Sequence, residues 1–128
     1  MSAELPRNFL RPCLLLLLRE QPAHGYELLE RLRPLGFTRD DPGGLYRALR
    51  ALERDGLVAS TWAPSTVGPD RRIYTLTRQG TEELHAHAKS LLAARDLLDR
   101  FLSRYGEFVT LKSQVARGAA SGRLRAES

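Results

Sequence analysis

From Pro42 to Gly56 the chain carries two chemistries at helical spacing. At about 100° per residue, Leu45, Ala48, Leu49 and Leu52 gather on one face, while Gly43, Arg47, Arg50 and Arg54 fall on the opposite one. A helix of this kind must bury one side and can offer cations on the other. Pro42 suits a first helical turn, where its missing N–H costs nothing, and Asp41 can cap that turn and complement the positive end of the helix dipole. Gly56 follows the last periodic residue as a stop. Any fold built on this stretch has to cover the leucines and leave the arginines in water.

The flanking segments are read against that helix. A first helix spans about residues 9–20, with Pro12 tolerable only in its opening turn. Leu14 to Leu18 is apolar on every side, which in a small domain implies that a partner subunit covers part of it. Gln21-Pro22-Ala23 breaks the chain, and a second helix over residues 24–33 carries Leu28, Leu29 and Leu32 as its core stripe. A short turn joins it to the helix over 42–55 in helix-turn-helix fashion. Past Gly56 the period changes: Leu57–Trp62 and Arg72–Thr77 read as two strands of a hairpin with a polar, basic-ended tip. Thr77 can cap a last helix over residues 78–110, in which Leu84, Ala88, Leu91, Leu98, Leu102, Tyr105 and Val109 form a heptad seam broken by Arg95. Residues 111–128 read as a disordered basic tail.

The expected fold class is therefore mainly α with a small β-hairpin: a winged helix-turn-helix over residues 1–77, with its wing over 57–77, followed by a long C-terminal dimerisation helix. A chain of 128 residues with a net charge of +5 fits one such domain and favours a polyanionic partner. Its single cysteine, Cys13, excludes an internal disulfide and sits in an apolar run, where an inert thiol competes with a redox sensor. The run Cys13 to Leu18 falls far short of the roughly 20 apolar residues that cross a bilayer, and no signal-peptide leader is present. These features imply a cytoplasmic protein without membrane contact.

Three linked motifs carry a family resemblance. His24-Gly25-Tyr26-Glu27-Leu28 resembles the opening motif of the PadR-like transcriptional regulators, and Pro42-Gly43-Gly44-Leu45-Tyr46-Arg47-Ala48-Leu49 resembles the recognition-helix motif of that family. Gly68-Pro69-Asp70-Arg71-Arg72-Ile73-Tyr74-Thr75-Leu76-Thr77, followed by Gly80, is similar to its wing. The short C-terminal region is similar to the smaller PadR subgroup, and the wording from Asp41 to Arg47 resembles members described as polyhydroxybutyrate-responsive repressors. One departure is Gly44, where many members carry Thr or Ser. The resemblance implies a repressor that acts as a homodimer on an inverted-repeat operator in double-stranded DNA.

The residue chemistry supplies candidates for that role. Gly43 and Gly44 let the backbone approach a major groove, and Tyr46 and Arg47 can reach phosphates or base edges. Arg50 either meets the backbone or belongs to a solvated face, and the solvated reading is stronger for Arg54. Arg71 and Arg72 flank a Gly-Pro turn that can aim cations at a minor groove. His24 and Tyr26 start a helix whose positive end can sit on a phosphate, Tyr26 being equally suited to a core role. Arg39, in the turn before the recognition helix, is a further DNA-binding candidate.

A dimer interface is expected at Phe9, Cys13, Leu17, Leu91, Leu98, Leu102 and Tyr105. Phe101, Tyr105 and Phe108 are either packed core or the aromatic walls of a cavity for a small-molecule effector. Two other functions compete with this reading. A winged helix used only for protein contacts needs no basic face, and an enzyme needs a reactive constellation. No Ser-His-Asp spacing, nucleotide loop or metal motif appears, and His85 and His87, two apart on a helix, point in different directions. Neither catalysis, a cofactor nor a metal is expected.

Overall fold

In a computed structural model, which describes residues 5–109, the chain runs α1 (Leu10–Glu20), β1 (Ala23–His24), α2 (Gly25–Leu32), a 3-10 turn (Arg33–Leu35), α3 (Pro42–Arg54), β2 (Val58–Ala63), β3 (Arg71–Leu76) and α4 (Arg78–Gly106). Two units divide this order, one reaching Ala88 and one beginning at Lys89. The first contains every element except the later turns of α4. The residues expected to form a basic tail, 111–128, lie outside the described range.

α3 forms where its sequence demands. The Asp41 carboxylate accepts the Gly44 N–H at 3.0 Å, satisfying one of the free donors of the first turn, and Pro42 takes the first helical position. Leu45, Leu49 and Leu52 are all buried, as the leucine stripe requires, while Arg47, Arg50 and Arg54 are exposed. Gly56 closes the helix in the left-handed region at φ 81°, which an L side chain resists. That turn lets Leu57 N–H donate to Leu52 O at 2.9 Å and sends the chain straight into β2.

The core corrects the expectation for α1. Cys13, Leu14, Leu15, Leu17 and Leu18 pack with Leu28, Leu32, Leu45, Leu49, Leu52, Leu57, Val58 and Tyr74 in one cluster. Cys13 and Leu17, two of the residues expected to face a partner, are thus covered by the chain's own core and present no surface to another subunit. Helices α2 and α3 together with the sheet wrap α1, so its apolar run needs no partner; Leu16 alone of that run stays exposed. Phe9, also expected at an interface, stacks on Phe37 with ring centroids 6.1 Å apart.

The sheet has three antiparallel strands in the order β1-β3-β2, one more than a hairpin. β1 pairs Ala23 with Tyr74 and His24 with Ile73. Two residues between a proline and a helix are too few to show strand alternation, which is why this strand was invisible in the sequence. β2 and β3 pair Val58 with Leu76, Ser60 with Tyr74 and Trp62 with Arg72. Both strands lie one residue from their expected bounds, because Leu57 and Thr77 serve as the mouth of the hairpin. Thr77 N–H donates to Leu57 O at 3.1 Å. The Thr77 hydroxyl donates to Gly56 O at 2.7 Å and accepts the Gly80 N–H at 3.0 Å, so it caps α4 as expected.

Gly80 seats the start of α4 against the hairpin: a Cβ there would strike Leu57 O and stand 2.5 Å from Leu76 Cδ1. Leu84 packs on the core one turn later. From Lys89 onward the helix carries Leu91, Leu98 and Tyr105 of the seam exposed, with Leu102 half-buried, while Val109, also exposed, lies past its end. α4 stops at Gly106, earlier than the expected 110. Among the described residues no helix is long and apolar enough to cross a membrane.

Candidate nucleic-acid interface

The start of α2 is fixed by a local reciprocal bond. His24 precedes the helix with an extended backbone and its N–H donates to Glu27 Oε1 at 3.1 Å, the backbone-to-carboxylate half of a capping box. Gly25 follows as the first helical residue and is buried. Tyr46, from the first turns of α3, lies over it: a Cβ at Gly25 would stand 2.6 Å from Tyr46 Cε1 and Cζ. The amino ends of α2 and α3 therefore meet through a tyrosine ring on a glycine.

The wing joins them from the other side. Arg71 Nη1 lies 3.1 Å from His24 Nε2, and the Arg72 guanidinium sits over the Trp62 ring at 4.9 Å from its centroid. His24, Gly25, Tyr26, Tyr46, Trp62, Asp70, Arg71 and Arg72 line one groove of about 340 Å³. Tyr26 is 66% exposed, which removes the core role that its sequence left open. Beneath the groove Ser60 donates to Glu53 Oε2 at 2.8 Å, tying β2 to α3. Burial of Tyr74 raises its hydroxyl above the ordinary tyrosine value, with Arg72 opposing, Glu53 and Tyr46 adding, and Arg50 opposing.

The electrostatics of this face are set by which cations lack acids. Asp55 receives Arg11 at 3.0 Å, Asp40 receives Arg33 at 2.7 Å and Glu20 receives Arg31 at 3.3 Å. Arg39, Arg47, Arg50, Arg54, Arg71 and Arg72 make no ion pair among the described residues. Solvated and unpaired guanidinium groups on one domain are a ready binding surface for phosphate. The acids beside Arg54 do not neutralise it: Asp55 is held by Arg11 and Glu53 by Ser60.

The structure gathers five of the ten DNA-binding candidates in one groove and leaves Gly43, Gly44, Arg47, Arg50 and Arg39 outside it. His24, Tyr26, Tyr46, Arg71 and Arg72 share the groove, and Arg50 is exposed one helical turn beyond Tyr46 and Arg47 on α3. Gly43 and Gly44 sit at the exposed amino end of α3. There a Cβ at Gly43 would approach Arg47 Nη1 to 3.3 Å, and one at Gly44 would meet the capping Asp41 carboxylate. The glycine at 44 therefore leaves room for the cap. Arg39 lies apart, in a shallow hollow with Leu5, Phe37 and Asp41. Trp62 was missed by sequence reasoning. As an aromatic in a strand it reads as packing, and only the pairing of Trp62 with Arg72, at the far end from the core, shows that it is exposed.

The effector candidates lie in the second unit. Phe101 and Tyr105 stack with centroids 6.2 Å apart and planes 3° from parallel. With Phe108, Leu97, Arg100 and Arg104 they line an open trough of about 510 Å³.

Solved structures share this architecture. A PadR family transcriptional regulator from Eggerthella lenta is 31% identical, with 75% of this chain and 83% of that chain covered at a TM-score of 0.67. A PadR-like transcriptional regulator from Bacillus cereus is 29% identical over 73% of this chain and 90% of that chain, with a TM-score of 0.66. A PadR-like transcription factor from Bacteroides fragilis is 28% identical over 72% of this chain and 88% of that chain, with a TM-score of 0.62. No match is found among curated proteins. Three helices, a wing and an unpaired arginine face define a winged helix-turn-helix DNA-binding transcriptional regulator. Residues 14–86 match the transcriptional regulator PadR-like family, and the chain belongs to it.

Proposed function

We propose that the protein is a homodimeric repressor that binds an inverted-repeat operator. The observation that carries this reading is the groove in which the wing arginines, Tyr46 and the start of α2 converge, with no acid paired to Arg71 or Arg72 among the described residues. The amino end of α3, Gly43 to Arg47, enters the major groove, where the helix terminus and Arg47 meet phosphates and base edges. Arg71 and Arg72 hold the adjacent minor groove or its phosphates, and His24 and Tyr26 bring the positive end of α2 to the backbone. Arg50 grips the backbone one turn along α3, and Arg39 contributes a more distant cation.

The exposed seam of α4 supports a division of labour between a DNA-binding domain and a dimerisation arm. Leu91, Leu98, Leu102 and Tyr105 supply the interface, and the described surface offers no other apolar stripe of that length. The open trough at Phe101, Tyr105 and Phe108 supports a binding place for a small-molecule effector. Such a molecule controls DNA release only if it binds the two dimer states with different affinity.

The test is a duplex titration at several salt concentrations, using DNA from beside the protein's own gene. Arg47→Ala and Arg71→Ala each weaken binding and reduce the salt slope by about 1, as the loss of one phosphate contact requires. Unchanged affinity and slope in both folded variants would overturn the interface. The footprint should cover two half-sites about 34 Å apart, or a multiple of that; protection of one asymmetric half-site contradicts the dimer.

A further inference from the structure

The wing arginines are held in different ways. Arg71 lies against His24, whereas Arg72 lies on an aromatic face. Trp62 and Arg72 are directly opposed across the β2–β3 ladder, beyond the last buried pair of the hairpin. Trp62 is 63% exposed, so core packing does not account for it. Arg72 is exposed too, and no acid pairs with it among the described residues. Asp70, the one carboxylate lining the groove, is engaged in the wing turn, where Oδ1 accepts the Ser65 N–H at 3.2 Å.

The geometry points to Trp62 as a positioning residue for DNA binding: its indole face holds the Arg72 guanidinium so that the in-plane N–H donors are presented to a phosphate at the mouth of the groove. This assignment rests on the interface proposed above. A guanidinium stacked on a ring uses its face and keeps all its donors, which lie in its plane and match phosphate oxygens two at a time. An arginine restrained in that way loses less rotamer freedom when it binds than a free one. A carboxylate partner would restrain Arg72 as well, but it would consume the donors and cancel the charge. The stack is therefore the one restraint that leaves the cation fully available. Tyr46 and His24 line the same groove as Trp62 and Arg72.

A double-mutant cycle tests this, read on a duplex of about 30 base pairs, long enough for two half-sites one turn apart. Trp62→Ala and Arg72→Ala each lower affinity about three- to tenfold, and the double variant loses no more than Arg72→Ala alone. Trp62→Phe, which keeps a ring under the guanidinium, recovers most of the loss. A merely structural tryptophan gives additive losses and overturns the inference, as does a Trp62→Ala protein that binds like the parent. Trp62 is the only tryptophan in the chain, so intrinsic fluorescence reports on it directly. Its emission shifts when the duplex saturates the protein, and the shift shrinks in Arg72→Ala; emission that ignores DNA overturns the inference. Arg71→Ala separates the two levels. If it weakens binding while the Trp62 and Arg72 losses are additive, the interface stands and the positioning role falls. If Arg47→Ala and Arg71→Ala both bind normally, the interface falls and takes the positioning role with it.

Discussion

The ring of Tyr46 rests on the backbone of Gly25, with Cε1 and Cζ each 2.6 Å from where a Cβ at position 25 would stand. This one contact fixes the spacing between the amino ends of α2 and α3, both of which carry DNA-binding candidates. Gly25→Ala improves helix propensity by up to about 1 kcal/mol, and its Cβ meets only the far end of the exposed Tyr46 side chain, which has to swing off the start of α2. The ring should give way. The expected result is a melting temperature close to the parent's together with weaker DNA binding, both measured on purified protein. The loss of binding should vanish when Gly25→Ala is made in a Tyr46→Ala background. An equal loss in both backgrounds would show that the tyrosine is not the reason for the glycine.

Arg50 and Arg54 are one helical turn apart on the same exposed face, yet their surroundings differ. Arg50 lies close enough to the buried Tyr74 to oppose the rise in its pKa, as Arg72 does. Arg54 has no such influence on Tyr74. Arg50→Ala should therefore lower DNA affinity about tenfold and reduce the salt slope by about 1, while Arg54→Ala leaves both within about twofold of the parent. Equal effects from the two substitutions would mean that the whole face, not its amino half, lies on DNA.

Much of this arrangement was legible in the sequence, and the parts that were not share a cause. The stripe of Leu45, Leu49 and Leu52, the Asp41 cap and the Thr77 cap are local patterns, settled within one or two helical turns. Distant encounters left no such trace. The run Leu14 to Leu18 announced that it had to be covered but could not name the cover, which proved to be the chain's own α2, α3 and sheet. Arg11 and Asp55 are 44 residues apart, so nothing local revealed that this pair leaves Arg54 without its neighbour's charge. Trp62 looked like strand packing because its outward position depends on a register with Arg72 that only the folded hairpin shows. The alternatives left open for Tyr26 were likewise settled by tertiary exposure.

Burial pushes the Cys13 thiol up from 9.0 to about 11. The thiolate that reacts with disulfides and metals is therefore suppressed at neutral pH, and the inert role is favoured over redox sensing. The consequence for stability has a definite sign. Between about pH 9 and 11 the unfolded chain releases this proton and the folded chain retains it, so stability falls as pH rises through that window by roughly 1–3 kcal/mol. Chemical denaturation at pH 8 and near pH 10.5 should show a smaller loss in Cys13→Ala than in the parent, even though that variant is less stable at both. Thiol labelling at neutral pH should proceed only as fast as the protein opens. Rapid labelling of the native protein would contradict the burial.

Leu98 is 61% exposed on a helix whose seam continues through the half-buried Leu102 to Tyr105, itself 47% exposed. A seam of this kind left in water is unfavourable at about 25 cal/mol per Å² of apolar area, and a two-fold partner covers it twice over because each substitution appears on both sides. Leu98→Asp places two facing carboxylates in that interface. The expected outcome is a dimer dissociation constant at least about 100-fold higher, read by sedimentation at micromolar concentration. Circular dichroism should stay close to the parent, because Leu98 is exposed and is not a member of the buried cluster around α1. DNA binding should fall with the dimer, since the second half-site contact becomes bimolecular again and two linked sites bind 10²- to 10⁴-fold better, in round terms, than one. A parent protein that sediments as a monomer would remove the dimerisation role from α4. A Leu98→Asp monomer that binds the full operator as tightly as the parent would instead show that a single winged helix carries the whole affinity.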